Sequence, residues 1–288
     1  MTGPITGPIA RHGTQRLLVP AYFSPRDGLW KETTDAIYTS LATAVLVMNP
    51  NSGPATEQDP VTDADKDAYR TAMGYRQRHL QTVIGYVNTR KKDGTLIPLA
   101  TVQRDIDTYY KDYKASWVWW LIRWPDQWFR WFRRGIDGIF FDQMSNDAVT
   151  NDHYRLLYNY VKGKSSRALV VGNPGIPAAN AWQLMPPVVA DILVVFEGPY
   201  VKANPSDTAY KDWLPPEWVT SQPTPRLAHL VYESPDADTT RSICIASQQK
   251  GAGCIYVTQD VRPNPWDVPP DAAMIGSPTL SRRPVFSP

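Results

Sequence analysis

Residues 135–143 read Gly135-Ile136-Asp137-Gly138-Ile139-Phe140-Phe141-Asp142-Gln143. The apolar run 139–141 has glycine on one side and a carboxylate on the other. A short apolar run between turn signals reads as a buried strand. A buried parallel strand that ends on an Asp is how barrel enzymes place catalytic groups. Residues 192–198 repeat the pattern as Ile192-Leu193-Val194-Val195-Phe196-Glu197-Gly198. Asp142 and Glu197 are therefore the candidate catalytic pair.

Working outward, eight such runs occur, at 17–22, 44–49, 82–88, 138–142, 169–173, 192–197, 227–232 and 253–258. Each is mostly continuous apolar rather than alternating, the mark of strands covered on both faces. Helical patterns at 30–40, 63–80, 99–116, 151–161, 180–189, 209–218 and 239–250 fill most gaps. Eight strands separated by helices in about 250 residues predict an α/β fold, a (β/α)8 TIM-type barrel over residues 16–262. The runner-up is an open doubly wound sheet. No glycine-rich dinucleotide fingerprint follows the first strand, which speaks against it.

Three stretches fall outside the alternation. Residues 1–15 repeat Thr-Gly-Pro-Ile and read as an extended N-terminal arm. Residues 263–288 are dense in proline and read as a C-terminal tail. Before the fourth strand, residues 117–134 form a tryptophan-rich insertion with arginines between the tryptophans. Trp117, Trp120, Trp124, Trp128 and Trp131 follow steps of three and four, so they share one helical face. The plain reading is a helix packed on the barrel. The alternatives are an aromatic patch for a protein partner and a membrane-surface helix. The terminal arms are a second place for assembly partners.

Composition narrows the function classes. Thirty basic against 28 acidic residues leave a net charge of +2, which implies no nucleic acid or other polyanionic partner. No apolar run approaches the ~18 residues of a membrane span. Met1 to Gly13 has no apolar core of the kind a secretory signal needs. Cys244 and Cys254 read as buried free thiols rather than a bridge. With only two Cys and four His, no metal-ligand spacing occurs.

Polar or aromatic residues recur at the strand ends: Tyr22, Asn49, Tyr86 and Asn88, Asp142, Asn173, Glu197, Tyr232 with Glu233, and Thr258. In barrels that face holds the site, so the pattern predicts a polar, hydrogen-bonding pocket. Asp142 and Glu197 end strands four and six, and alternate strands feed one layer of the lumen. Two carboxyl groups flanking a glycosidic bond are what glycoside hydrolysis needs, with no metal and no organic cofactor. Asp137, between two glycines, reads as a turn residue. No G-x-S-x-G and no serine–histidine pattern suggests acyl transfer.

Several motifs together resemble the spherulation-specific, spherulin-4-like family. Asn49-Pro50-Asn51-Ser52-Gly53-Pro54 is similar to its N-P-N-S-G-P signature. Val83-Ile84-Gly85-Tyr86-Val87-Asn88-Thr89 resembles V-I-G-Y-V-x-T, and 138–143 resembles G-I-F-F-D-E. Asn173-Pro174-Gly175 and Val195-Phe196-Glu197 match N-P-G and V-F-E. Ile106-Asp107-Thr108-Tyr109 fits the helix before strand four. The resemblance implies a (β/α)8 barrel and an endo-acting glycosidase for galactosamine-rich polysaccharides of microbial matrices. Carried over, its Asp is Asp142 and its distant Glu is Glu197. Its acid directly after the Asp is Gln143 here, which neither gives nor takes a proton as a carboxyl does.

The resulting expectation is a polysaccharide hydrolase with Asp142 as nucleophile and Glu197 as general acid/base. Tyr22, Asn49, Asn51, Tyr86, Asn88, Gln143, Asn173 and Tyr232 would line the sugar cleft. The alternative is a non-catalytic carbohydrate-binding or structural barrel in which Gln143 marks lost activity. A bacteriophage tail protein meeting a cell-surface glycan would combine both and would act outside the cell without a signal peptide.

Overall fold

The computed structural model describes residues 14–54, 61–76, 80–113, 135–222 and 224–282. The tryptophan-rich segment 117–131 and residues 1–13 of the arm lie outside the described residues, as do residues 283–288.

Eight strands form one closed parallel barrel in sequence order. They are β1 (Arg16–Ala21), β2 (Ala44–Met48), β3 (Gln81–Asn88), β4 (Gly138–Asp142), β5 (Leu169–Gly172), β6 (Ile192–Pro199), β7 (Leu227–Tyr232) and β8 (Cys254–Val257). Pairing of Arg16 with Cys254 and of Leu17 with Ile255 joins the last strand to the first. The (β/α)8 expectation holds, and the open sheet is excluded. Every residue of β2 and of β8 is buried, as expected where helices cover the outside and neighbouring side chains fill the lumen. Full burial of one such Val or Leu is worth roughly 1.5–3 kcal/mol.

The helices are α1 (Leu29–Ser40), α2 (Asp63–Tyr75), α3 (Leu99–Asp112), α4 (Asn151–Lys164), α5 (Glu217–Ser221), α6 (Ala237–Gln249) and α7 (Ala272–Ile275). Their starts carry chemical reasons. Thr62 accepts from the Asp65 N–H at the head of α2, and Asp236 accepts from the Thr239 N–H at the head of α6, the side-chain capping that frees no donor. Two helical readings fail. Residues 180–189 hold only a single 3-10 turn, Trp182–Leu184. Residues 209–216 are turns leading to the short α5. Pro186-Pro187 and Pro215-Pro216 stand inside those windows, and proline removes a donor and clashes with the turn before it. Among the described residues, no helix is long and apolar enough to cross a membrane.

Gly138 explains the glycine that opens β4. A Cβ built there would sit 1.9 Å from the Leu169 carbonyl oxygen, so no larger residue lets β4 and β5 approach. Asp137 does more than turn the chain. Its carboxylate accepts the Val83 N–H at 3.0 Å and pairs with the buried Arg76, anchoring the entry of β4 to β3. Cys244 and Cys254 are both free and buried.

After β8 the chain runs the length of the barrel. Trp266 is buried near the C-terminal rim of the strands, α7 packs between α6 and α1, and Leu280 pairs with Gln15 beside the start of β1. This segment takes the place of an eighth helix.

Candidate active site

The strands are parallel, so their C-terminal ends share one rim. Asp142 closes β4 and Asn88 is its register partner on β3. Phe140, two residues earlier, stacks on Tyr86 with ring centroids 6.2 Å apart. Residues two apart on a strand face the same way, so Asp142 points into the lumen with them. The Tyr86 hydroxyl donates to Asp142 Oδ2 at 2.6 Å. The edge of Tyr22 meets Tyr86, with centroids 5.6 Å apart.

Glu197 reaches the same space by an irregularity. In β6, Leu193 pairs with Leu227 and Val194 with Ala228, but it is Phe196 that pairs with His229. Val195 is an extra residue, a β-bulge. Leu193 lies against Gly172, the outward neighbour of the inward Asn173, so Leu193 faces out and Val194 faces in. Strict alternation would then turn Phe196 inward and Glu197 outward. The bulge reverses the phase. Phe196 faces out and packs its ring on Tyr210 at 4.7 Å and on Trp213 at 4.9 Å. Glu197 faces in.

Asn173, at the end of β5, joins the two acids. Its Nδ2 donates to Asp142 Oδ1 at 2.7 Å and to Glu197 Oε2 at 2.6 Å. Its Oδ1 accepts the Gly175 N–H at 3.0 Å. A backbone N–H only donates, so that contact fixes which end of the amide faces the acids. Asn173 is 4% exposed. One amide thus spans the pair, and the acidic oxygens are separated by no more than its two hydrogen bonds laid end to end.

The surroundings pull the two acids apart in acidity. Burial, then the charge of Asp142, pushes Glu197 up to about 7; donors from Asn173 and the Trp266 indole oppose the shift without cancelling it. Burial also lifts Asp142 above the usual Asp value, but Tyr86, the Gln143 N–H and Asn173 all donate to its ionised form. Asp142 thus has three donors that favour its ionised form, while burial and the neighbouring charge push Glu197 toward its neutral form.

The other expected site residues divide. Tyr22, Tyr86 and Asn173 stand at the pair. Tyr232 is half-buried at the end of β7, edge-on to Trp266 at 5.7 Å. The Asn88 and Asn49 side-chain oxygens accept backbone N–H groups of their own loops, from Arg90 and Gly53. Asn51 lies half-buried in that second loop, its N–H on the Gly53 carbonyl. Gln143 adopts a left-handed φ of 51° and its side chain is exposed. Glu233 is tied to Arg262 at 2.9 and 3.2 Å, and Arg262 also holds Asp207 at 3.2 Å.

Beside Glu197 opens a cleft of about 390 Å³. Its walls include Gly175, Pro177, Ser206, Thr208, Trp213 and Tyr232. Apart from Tyr232, the sequence reading missed these wall residues, and it missed Trp266. Trp266 sits in a proline-rich stretch with no strand or helix period, so no periodic signal points to it.

The profile of Spherulation-specific family 4 matches residues 16–273. Spherulin-4 of Physarum polycephalum is 27% identical over 201 residues, which are 69% of this chain and 48% of that protein, so the match spans about half of the relative's length. Among solved structures, Aspergillus clavatus Sph3, determined in complex with GalNAc, superposes with a TM-score of 0.67 at 22% identity, covering 92% of this chain and 96% of that one. The xylanase and alpha-amylase inhibitor protein XAIP-II of Scadoxus multiflorus gives 0.50 at 17% identity, covering 92% and 99%. Both structural likenesses are likenesses of fold.

Proposed function

The chain belongs to Spherulation-specific family 4, and from that premise we propose that it is a glycoside hydrolase cutting a microbial surface or matrix polysaccharide with Asp142 and Glu197. One observation carries the reading: a single buried amide holds both carboxyl groups. With bonds of 2.7 and 2.6 Å to the same nitrogen, the two bonded oxygens are at most about 5.3 Å apart, below the ~6.5–9.5 Å of inverting enzymes and on the side of retaining ones.

The chemistry follows from the two environments. Asp142 keeps its negative charge under three donors and attacks the anomeric carbon. Glu197 holds a proton near neutral pH and gives it to the leaving oxygen. After the leaving group departs, Glu197 takes a proton from water, which releases the sugar from Asp142. The cleft beside Glu197 receives the sugar on the leaving side. Its hydroxyls at Ser206 and Thr208 and its apolar faces at Pro177 and Trp213 suit a pyranose ring. GalNAc in the Sph3 complex supports an amino-sugar substrate. Gln143 leaves the minimal pair whole, because its exposed side chain lies outside the hydrogen bonds that tie Asp142, Asn173 and Glu197 together.

The experiment is incubation with a panel of microbial polysaccharides, galactosamine-rich ones included, with released oligosaccharides as the readout. Wild type should release products. Asp142→Asn and Glu197→Gln should each lower turnover by ~10²-fold or more with little change in glycan affinity. A barrel of this fold also serves as an inhibitor protein in Scadoxus, so fold alone does not decide activity. Binding without cleavage by wild type would replace the hydrolase with a carbohydrate-binding barrel. Hydrolysis that survives both substitutions would remove the site assignment.

A further inference from the structure

The turn that follows Asp142 is held from behind. Gln143 sits at a left-handed φ of 51°, a backbone that residues other than glycine adopt only under constraint. The constraint is a set of buried hydrogen bonds. The Asp142 carbonyl accepts twice from Thr89, from its N–H at 3.1 Å and from its hydroxyl at 2.8 Å. The Met144 N–H donates to the Asn173 carbonyl at 2.9 Å, and the Ser145 N–H donates to the Tyr154 hydroxyl at 2.8 Å. That hydroxyl lies 3.2 Å from the Thr89 hydroxyl. Thr89 and Tyr154 are fully buried, and Tyr154 stands on α4, outside the barrel wall.

The direction of this chain of bonds follows from its ends. A carbonyl only accepts, so the one Thr89 hydroxyl proton goes to Asp142. A backbone N–H only donates, so Tyr154 receives Ser145 and gives its own proton to Thr89. Each hydroxyl gives once and receives once. Burial lifts the Tyr154 phenol above its ordinary value, so it keeps the proton this order needs. The peptides on both sides of Gln143 are thereby fixed. Releasing its φ would swing the Asp142 carbonyl off Thr89 or the Met144 N–H off Asn173. Thr89 and Tyr154 bond the backbone of the turn, and that backbone aims the Asp142 carboxylate at Tyr86 and Asn173.

We propose that Tyr154 is a positioning residue for the nucleophile: through Thr89 and Ser145 its hydroxyl holds the left-handed turn at Gln143, and so the Asp142 carboxylate, in place. The inference rests on the hydrolase reading for its catalytic meaning, while the hold on the turn has a test of its own.

Tyr154→Phe keeps the ring and removes the hydroxyl. With it, kcat should fall about tenfold while KM stays within about twofold of wild type. Gln143→Gly supplies the discriminating background, because glycine adopts a left-handed turn without being held there. In that background Tyr154→Phe should cost no more than about threefold. An equal cost in both backgrounds would mean that packing rather than the turn is at stake, and overturns the proposal. The turn is also readable without turnover. Amide hydrogen exchange at Met144 and Ser145 should be at least about tenfold faster in Tyr154→Phe, with the amides of β3 and β4 unchanged. Thr89→Val breaks the chain of bonds from its other end at nearly constant size, and the same two amides should respond. Exchange that stays at the wild-type rate in both variants, or that quickens evenly through the barrel, overturns the proposal. Faster exchange at these two amides alone, in a protein that cleaves no glycan, would keep the hold on the turn and discard the hydrolase.

Discussion

Asn173 shows how much one side chain settles. Its amide is the shared donor, and its own orientation is fixed by Gly175. Asn173 and Tyr86 were legible in the sequence because polar residues ending apolar runs stand out. Trp266 was not, because the rings it packs on are far away in the chain and its neighbours carry no period. The strain at this scale lies in Glu197. Its pKa is pushed from 4.5 to about 7 by burial and by Asp142. The folded protein therefore binds more protons than the unfolded chain between those values. Its stability falls as pH rises through that window, and the cost is complete above about 7. At about 1.4 kcal/mol per unit this is at most roughly 3 kcal/mol. Glu197→Gln has no charge to bury. Its melting temperature should exceed that of wild type by a few degrees at pH 8 and match it near pH 4. Thermal melts at both pH values check this, and equal gains at both would show that charge burial is not the cause.

Strands were more legible than helices. All-buried parallel strands leave continuous apolar runs, and eight of these marked the barrel. Helices at 180–189 and 209–218 were misread because apolar spacing was counted through paired prolines. The bulge in β6 was invisible for the same reason the strand was visible: in Ile192-Leu193-Val194-Val195-Phe196 every residue is apolar, so the run does not report which way each points. Its effect on phase has a counterintuitive consequence. Deleting Val195 removes the extra residue and leaves Phe196 outward and Glu197 inward. This deletion should keep hydrolysis within about tenfold of wild type. Deleting Phe141 from the regular β4 should turn Asp142 outward and cost ~10²-fold or more. Circular dichroism would confirm folding in each case. Loss of activity in folded Val195-deleted protein would mean that the bulge shape itself, rather than the phase, is required.

For the whole molecule, the stretch beyond β8 is the surprise, since composition made it look detachable. It supplies a buried tryptophan ring at the rim, a helix on the flank and a strand partner for Gln15 at the base. The Gln15 side chain is in turn fixed by Ser247 and the Ala252 carbonyl, at 2.8 and 2.9 Å. A chain ending at residue 262 should melt at least ~10 °C lower than the full chain, or fail to fold, and should not cleave glycan; the loss of several buried side chains at ~2–5 kcal/mol each sets the scale. A thermal melt and the glycan assay would show it, and a shortened protein with wild-type melting would return the stretch to a passive role. The pairing of Leu280 with Gln15 and of Arg282 with Ala42 also gives the molecule a handle. Gln15 and Arg282 both lie at the pole opposite the cleft. A surface or scaffold that held the molecule by this pole would act as a pedestal, with the mouth turned outward to meet a long polymer from the side.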